Sequence, residues 1–245
     1  MPHSLCGKTL RILALAAALS AQGCDNSSSA PDISAAPASG ATAKEGASVI
    51  RGRVLLGGNP PAPQTLAGSP GKMDESIAVD AAHGLKNVIV YIANAPPSTF
   101  TLQNPVVLDQ INCVYVPHVV AVQTGQPLTL KSTDMLMHNV HLQCKSNPDA
   151  NYGFNTPGRQ DIHLKLAETP FKISCDVHPW MTAWMGVFDH PWFAVTADDG
   201  SFTIPRVPPG QYKLIAWQEA LPQQEKTITV TDNSAADVQF VFPAP

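Results

Sequence analysis

Apolar and polar positions along this chain alternate in short runs, and no run holds a helical spacing. Residues 87–93, Asn87-Val88-Ile89-Val90-Tyr91-Ile92-Ala93, are almost continuously apolar. That predicts a central strand covered on both faces. Residues 49–56 read as another strand, ended by Gly57-Gly58-Asn59-Pro60. Further on, 119–122, the turn Gly125-Gln126-Pro127 and 128–132 read as strand, turn, strand. Nearer the C-terminus, Ala194-Val195-Thr196 and Ser201-Phe202-Thr203-Ile204 flank Asp198-Asp199-Gly200, the pattern of a hairpin. Pro208-Pro209-Gly210 then turns into 211–217, followed by strands at 226–231 and 237–242. Residues 146–160 carry Asn, Pro and Gly throughout and read as a loop. With no heptad and no helical repeat, the pattern predicts an all-β protein.

Composition agrees and adds a compartment. The 245 residues allow one large or two ordinary domains, and 23 prolines suit a fold with many turns. A net charge of −4 without a basic block gives no reason to expect nucleic-acid binding. The N-terminus reads as an export signal: Lys8 and Arg11, an apolar stretch at 12–19, then small residues ending at Cys24. That stretch is shorter than the ~20 residues a membrane span needs. Ala21-Gln22-Gly23-Cys24 resembles a bacterial lipobox, which implies a lipid on Cys24 and anchoring at a membrane. The alternative is simple cleavage near 18–21 with a released product. Residues 25–47 are rich in Ser, Ala and Pro and read as a tether that cannot bury enough surface to fold. No transmembrane helix is expected in the mature chain; a periplasmic or cell-envelope location is.

Chemistry concentrates in Cys175-Asp176-Val177-His178-Pro179-Trp180-Met181, which follows the strand-like run 171–174. A thiolate, imidazoles and a weak thioether together form the ligand set of blue-copper electron-transfer sites. The second imidazole is found in Met137-His138-Asn139-Val140, after another apolar run. The spacing Cys-x-x-His-Pro-aromatic-Met resembles the ligand loop of the cupredoxins, in the short form found in amicyanin. Tyr115-Val116-Pro117 resembles the Phe-x-Pro of plastocyanin-like members, and Met137-His138-Asn139-Val140 their first-histidine segment. The resemblance implies a Greek-key β-sandwich holding copper through His138, Cys175, His178 and Met181. It also implies a role for Asn139 in hydrogen-bonding across to the cysteine loop. Around His178, Met137, Trp180 and Met135 would make an apolar collar for redox protein partners.

A second resemblance follows the first. Asp-Gly-Ser-Phe-Thr-Ile at 199–204 and Pro-Pro-Gly-Gln-Tyr-Lys-Leu at 208–214 are similar to the carboxypeptidase regulatory-like β-sandwich, a module without chemistry of its own. The expected organisation is therefore a signal at 1–24, a tether at 25–47, a cupredoxin domain at 48–189 and a smaller β-sandwich at 190–245. The strands at 49–56 and 87–93 most simply complete the cupredoxin sandwich.

Several residues stay open at this level. Met185 competes with Met181 as the axial thioether. His141 lies three residues beyond His138, which on a strand points it to the opposite face. Cys113 falls two residues before the aromatic of Tyr115-Val116-Pro117, close to the expected metal. With His118 it offers further metal ligands and a binuclear copper site; otherwise it is a small buried residue or a disulfide partner of Cys144. Cys144 is six strand residues beyond His138, roughly 20 Å at ~3.3 Å per residue, beyond disulfide reach if Cys113 is near the metal. The function expected is single-electron transfer by an exported copper protein, with a periplasmic copper carrier or buffer as the alternative. With one ligand loop only, no enzymatic activity is expected.

Overall fold

The computed structural model describes residues 45–245 apart from Pro70 and Pro97. The signal segment, Cys24 and the tether up to residue 44 lie outside the described residues. Among the described residues there are strands and no helices: β1 (Ser48–Leu56), β2 (Ile89–Ile92), β3 (Val106–Ile111), β4 (Val114–Val116), β5 (Val119–Gln123), β6 (Leu128–Ser132), β7 (His138–Leu142) and β8 (Ala150–Phe154). They continue with β9 (Gly158–Ile162), β10 (Glu168–Ser174), β11 (Thr182–Phe188), β12 (Phe193–Val195), β13 (Ser201–Val207), β14 (Gly210–Trp217), β15 (Gln224–Val230) and β16 (Ala235–Phe242). The fold is all-β, as the alternation predicts. No helix among these residues is long and apolar enough to cross a membrane.

The strands form four sheets, ordered β13-β1-β16, β12-β2-β14-β15, β5-β11-β10-β7-β8 and β4-β3-β6-β9. The first two enclose one core around Ile50, Val54, Trp192, Leu214 and Phe240. The last two enclose another around Leu108, Val140, Ile173 and Met185. A third cluster of Ile89, Tyr91, Val119, Phe188 and Ile215 joins the two middle sheets face to face. This stacking explains the continuous apolar run of β2, whose four residues are all buried. Val90 and Ile92 point into the first core, while Ile89 and Tyr91 point into the joining layer. Each fully buried Val or Ile contributes about 1.5–3 kcal/mol, so the double-sided burial of so short a strand is a strong anchor.

The chain threads these sheets differently from the expected organisation. β1 runs parallel to β16, from Val49↔Ala235 to Leu56↔Phe242, and antiparallel to β13. β2 lies between β12 and β14. Thus the strands at 49–56 and 87–93 do not complete the sandwich that carries the Cys175–Met181 loop; they belong with the C-terminal strands. One sandwich is split across the two ends of the described chain, and β3–β11 form a second sandwich inserted into it. An apolar pattern shows that a strand is buried but not in which core, and a parallel partner leaves no local turn signal.

Three smaller expectations are also corrected. The turn at Asp198-Asp199-Gly200 forms, with Gly200 at φ 76° and its N–H on the Ala197 carbonyl at 2.9 Å. A Cβ on Gly200 would lie 2.3 Å from the Val54 oxygen. Its flanking strands, however, enter different sheets rather than pairing as a hairpin. The predicted loop at 146–160 contains β8 and the start of β9. Both are polar edge strands, pairing with β7 and β6, so little apolar signal marks them. Finally, the predicted tether is bound to the split sandwich at 45–46: Gly46 N–H donates to the Arg206 carbonyl at 3.0 Å, and Glu45 pairs with Arg206 at 2.9 Å.

Candidate metal centre

Register places the Cys175–Met181 loop. β10 meets β7 at Ile173↔Leu142 and Ser174↔His141. Continuing that antiparallel register sets Cys175 and Asp176 beside Val140 and Asn139, and brings the loop after β10 to the start of β7, where His138 stands. The side chains close the arrangement. His138 Nδ1 lies 3.0 Å from His178 Nδ1, and Cys175 Sγ lies 3.7 Å from His178 Nδ1. The three donor atoms of His138, Cys175 and His178 all fall within 4.8 Å of one another. His138 and Cys175 are buried, and His178 is partly exposed.

Hydrogen bonds hold each donor in place. His138 Nε2 lies 2.9 Å from Asp134 Oδ2, which assigns the ring proton to Nε2 and leaves the Nδ1 lone pair facing the cluster. Burial alone would raise the Asp134 carboxyl, but the N–H groups of Cys113 and Asn112 and the His138 ring outweigh it and hold the carboxyl below its ordinary range. Asn139 staples the loop: its Oδ1 accepts the Asp176 N–H at 2.8 Å and the Cys175 thiol at 3.3 Å. Its Nδ2 donates to Asn151 Oδ1 at 2.7 Å and Asp176 Oδ2 at 3.0 Å. The backbone carbonyl of Asn139 in turn accepts Tyr115 Oη at 2.5 Å and Gln110 Nε2 at 3.0 Å. Burial, then the neighbouring His138, lowers the His178 pKa.

The two thioethers occupy different places. Met181 closes the loop, buried, with its N–H on the His178 carbonyl at 2.9 Å and its carbonyl on the Cys175 N–H at 3.2 Å. Met185 lies inside β11, paired with Phe171 and Val120. It is three residues beyond Thr182, about 10 Å along the strand. His141 stands on the opposite face from His138, with Asp176 and Asp149 each 3.0 Å from its ring nitrogens.

His118 is not brought to the donor group. Its Nε2 meets Glu219 of the split sandwich, whose other oxygen accepts the Trp184 Nε1–H at 2.5 Å. This contact crosses between the sandwiches, a partner that local sequence around His118 cannot reveal. Cys113 and Cys144 are both free thiols, so no disulfide joins them. Cys113 instead falls with Asp134 and His138 in a second donor group, again with its donor atoms within 4.8 Å of one another. Sequence reading passed over Asp134; a lone acid four residues before a histidine in an irregular loop carries no period to mark it.

The rim is apolar on one side and covered on another. Met135, Leu136, Met137 and Val177 are exposed around the loop, at 78%, 54%, 56% and 44%. Trp180 lies 5.1 Å from the His178 ring and donates its Nε1–H to the Cys113 carbonyl at 3.2 Å. The β1–β2 connection reaches across to it: a Cβ on Gly68, at φ 89°, would lie 2.3 Å from the Trp180 ring. Glycine is required at that contact by space and by backbone alike.

Comparison with known proteins adds the following. The family model described as polysaccharide lyase family 4, domain II, matches residues 182–238. That segment runs from β11 into β16, and the matched family is not the carboxypeptidase regulatory-like one that 199–214 resembles. No curated protein matches the chain. Among solved structures, a purple cupredoxin from Nitrosopumilus maritimus is similar at 18% identity, over 34% of this chain and 98% of that one, with a TM-score of 0.29. Amicyanin from Paracoccus versutus is similar at 16% identity, over 40% and 96%, with a TM-score of 0.30. A copper-containing nitrite reductase from Thermus scotoductus is similar at 14% identity, over 38% of this chain but 25% of that one, with a TM-score of 0.32. The structural neighbours of this all-β chain are thus cupredoxins, matched over a minority of its length.

Proposed function

We propose that this protein is an exported copper protein that passes single electrons through a site made by Cys175, His138, His178 and Met181. One observation carries the reading: the donor atoms of two imidazoles and a buried free thiol lie within 4.8 Å of one another, a grouping that could hold a single cation. The donor chemistry fits copper, since soft sulfur with imidazole selects it over hard cations. When bound, copper supplies a one-electron couple between Cu(II) and Cu(I). The residues of the chain do the rest. Cys175 would supply the strong thiolate, giving up its proton to solvent when metal binds. Asp134 orients His138, and Asn139 fixes the cysteine loop, so the donors keep their places in both oxidation states. Met181, which closes the loop, would add a weak thioether donor. The partly exposed edge of His178, with Met135, Met137 and Val177 around it, is the face offered to a redox partner; brief redox encounters use small interfaces of this kind.

With a single ligand loop the protein is read as a carrier rather than an enzyme. The signal at 8–24 supports export to the periplasm or cell envelope, with Cys24 as the lipid anchor. The reading is tested by the visible and electron spin resonance spectra of the copper-loaded protein. An intense thiolate-to-Cu(II) band with a mononuclear signal is expected. Cys175→Ser should abolish that band while circular dichroism shows the same β fold; a band that survives the substitution sinks the assignment. A copper buffer with the same ligands would instead yield its metal to competing chelators within seconds, whereas an electron carrier retains it.

A further inference from the structure

His138 stands between two donor groups, and each of its ring nitrogens faces one. Nδ1 lies beside His178 in the group with Cys175, and Nε2 lies beside Asp134, whose group also takes in Cys113. We propose that Cys113 Sγ, an Asp134 carboxylate oxygen and His138 Nε2 form a second metal position for a thiophilic divalent cation, joined to the first through the His138 imidazole. The inference goes beyond the copper reading but shares His138 with it.

The position of Cys113 is itself the first support. β3 and β4 are joined by two residues only, Asn112 and Cys113, with φ of 54° and 59°. Two left-handed residues define a type I′ turn, and glycine is the favoured second residue there. A side chain at that place costs conformational energy, and such strained residues cluster at ligand sites. Here the side chain is a thiol. The turn is held from three sides: Asp134 accepts the N–H of Asn112 at 2.6 Å and of Cys113 at 2.8 Å, Trp180 donates to the Cys113 carbonyl, and Ser69 Oγ donates to the Asn112 carbonyl at 3.3 Å. The thiol is therefore fixed, in no disulfide, beside a shallow open cleft lined by Ser69, Asp134, Met135 and Leu136.

Donor chemistry gives the ligand class. One thiolate, one imidazole and one carboxylate with an open side toward solvent suit a zinc-like cation with water in the fourth place. Metal bonds of about 2.0–2.2 Å to nitrogen and oxygen require the Asp134–His138 contact of 2.9 Å to open by about half an ångström only. Binding releases the thiol proton of Cys113 and the Nε2 proton of His138 to solvent, leaving the imidazole as a bridge when both positions are filled.

Cadmium(II) is the probe, because a thiolate bound to it absorbs in the ultraviolet where the copper band does not. Copper-loaded protein is expected to take up one equivalent of Cd(II), with the absorbance of a single thiolate and a shifted copper spin-resonance signal. Cys113→Ser should lose that absorbance, Asp134→Asn should weaken binding about tenfold, and Cys144→Ser should change neither. The same absorbance should appear in Cys175→Ser, whose second group is intact, so this result is read whether or not the first group binds copper. The proposal is overturned if no Cd(II) binds, if binding survives Cys113→Ser, or if the copper signal is unmoved while Cd(II) sits on Cys113.

Discussion

The split sandwich and the inserted sandwich are made of similar strands, yet they fill their interiors differently. Between its sheets the split sandwich sets Ile50, Leu56, Leu85, Trp192, Leu214 and Phe240; it buries fewer polar residues, Asn87, His190, Thr196 and Gln218 among them, and no cluster of metal donors among the described residues. The inserted sandwich buries Asp109, Gln110, Gln123, Ser132, His138, Asn139 and Glu168 along with its hydrocarbons. Two of these atoms, Gln110 Oε1 and Ser132 Oγ, have no hydrogen-bond partner and lie on register-paired residues. Each orphan oxygen costs about 1–3 kcal/mol. Polar groups near Asn139 hold a loop in one geometry at some loss of stability, and the neighbouring apolar sandwich, joined through Tyr91 and Phe188 at 4.7 Å, supplies a rigid backing. Position is set in one half and stability in the other.

The most severe way to break this division is to remove β12–β16 by ending the chain after Asp189. β1 then loses β13 and β16, and β2 loses β12 and β14, so the remainder should aggregate. Residues 104–189 alone should retain β structure and the thiolate band. Solubility and circular dichroism of the two fragments check this; a soluble, folded 48–189 would mean that β1 and β2 find other partners. A milder cut into the same half is Phe240→Ala. It empties a fully buried ring site and should destabilise by about 3–5 kcal/mol in denaturant unfolding, while the absorption of the copper-loaded protein stays unchanged.

Within the inserted half the two methionines sharpen the contrast between loop and core. Met181→Leu should keep the thiolate band but raise the reduction potential by about 60 mV or more, since a tenfold preference for the reduced state corresponds to about 59 mV. Met185→Leu is a volume-conserving core change that should cost less than about 1.5 kcal/mol and leave the potential alone. Electrochemistry that moves only for Met185→Leu reverses the axial assignment. The smallest effect concerns acid. The Glu168 carboxylate is pushed up by burial but held low overall by the N–H groups of Asn147 and Lys145, with Asn147 N at 3.0 Å. A depressed carboxyl adds stability above its unfolded value of about 4.3, and that stability fades as pH falls through the lower folded value. Glu168→Gln should lower stability at neutral pH and flatten its decline in acid, read as denaturation midpoints at pH 7 and pH 3.

The grouping of Cys175 with His178 is legible because a short loop keeps its side chains within a few residues of one another. His138 was legible from the apolar run before it and the Asn after it. Asp134 and the Asn112-Cys113 turn were not, because their meaning lies in contacts between loops separated along the chain. Strand identity read well for β1 and β2, whose apolar runs are unmistakable, but their pairing did not. Parallel β1–β16 pairing joins residues as far apart as Arg51 and Asp237, 186 positions, and nothing local encodes it. β8 and β9 failed for the opposite reason: as polar edge strands they are specified by the neighbour they pair with.

The insertion has a consequence for how the chain is made. At synthesis rates of about 5–20 residues per second, β1 leaves the ribosome about 10–40 s before its partner β16 exists. β2, an apolar strand with both faces bare, waits about 5–20 s for its partner β12. The inserted sandwich is complete before the other can close, and its folding draws the two flanks together, since Tyr91 and Phe193 end as paired neighbours. A separation of about a hundred residues then behaves as a short loop, with a correspondingly smaller closure entropy. Anything that steadies β3–β11 early, a metal ion included, therefore also hastens the assembly of a sandwich it never touches.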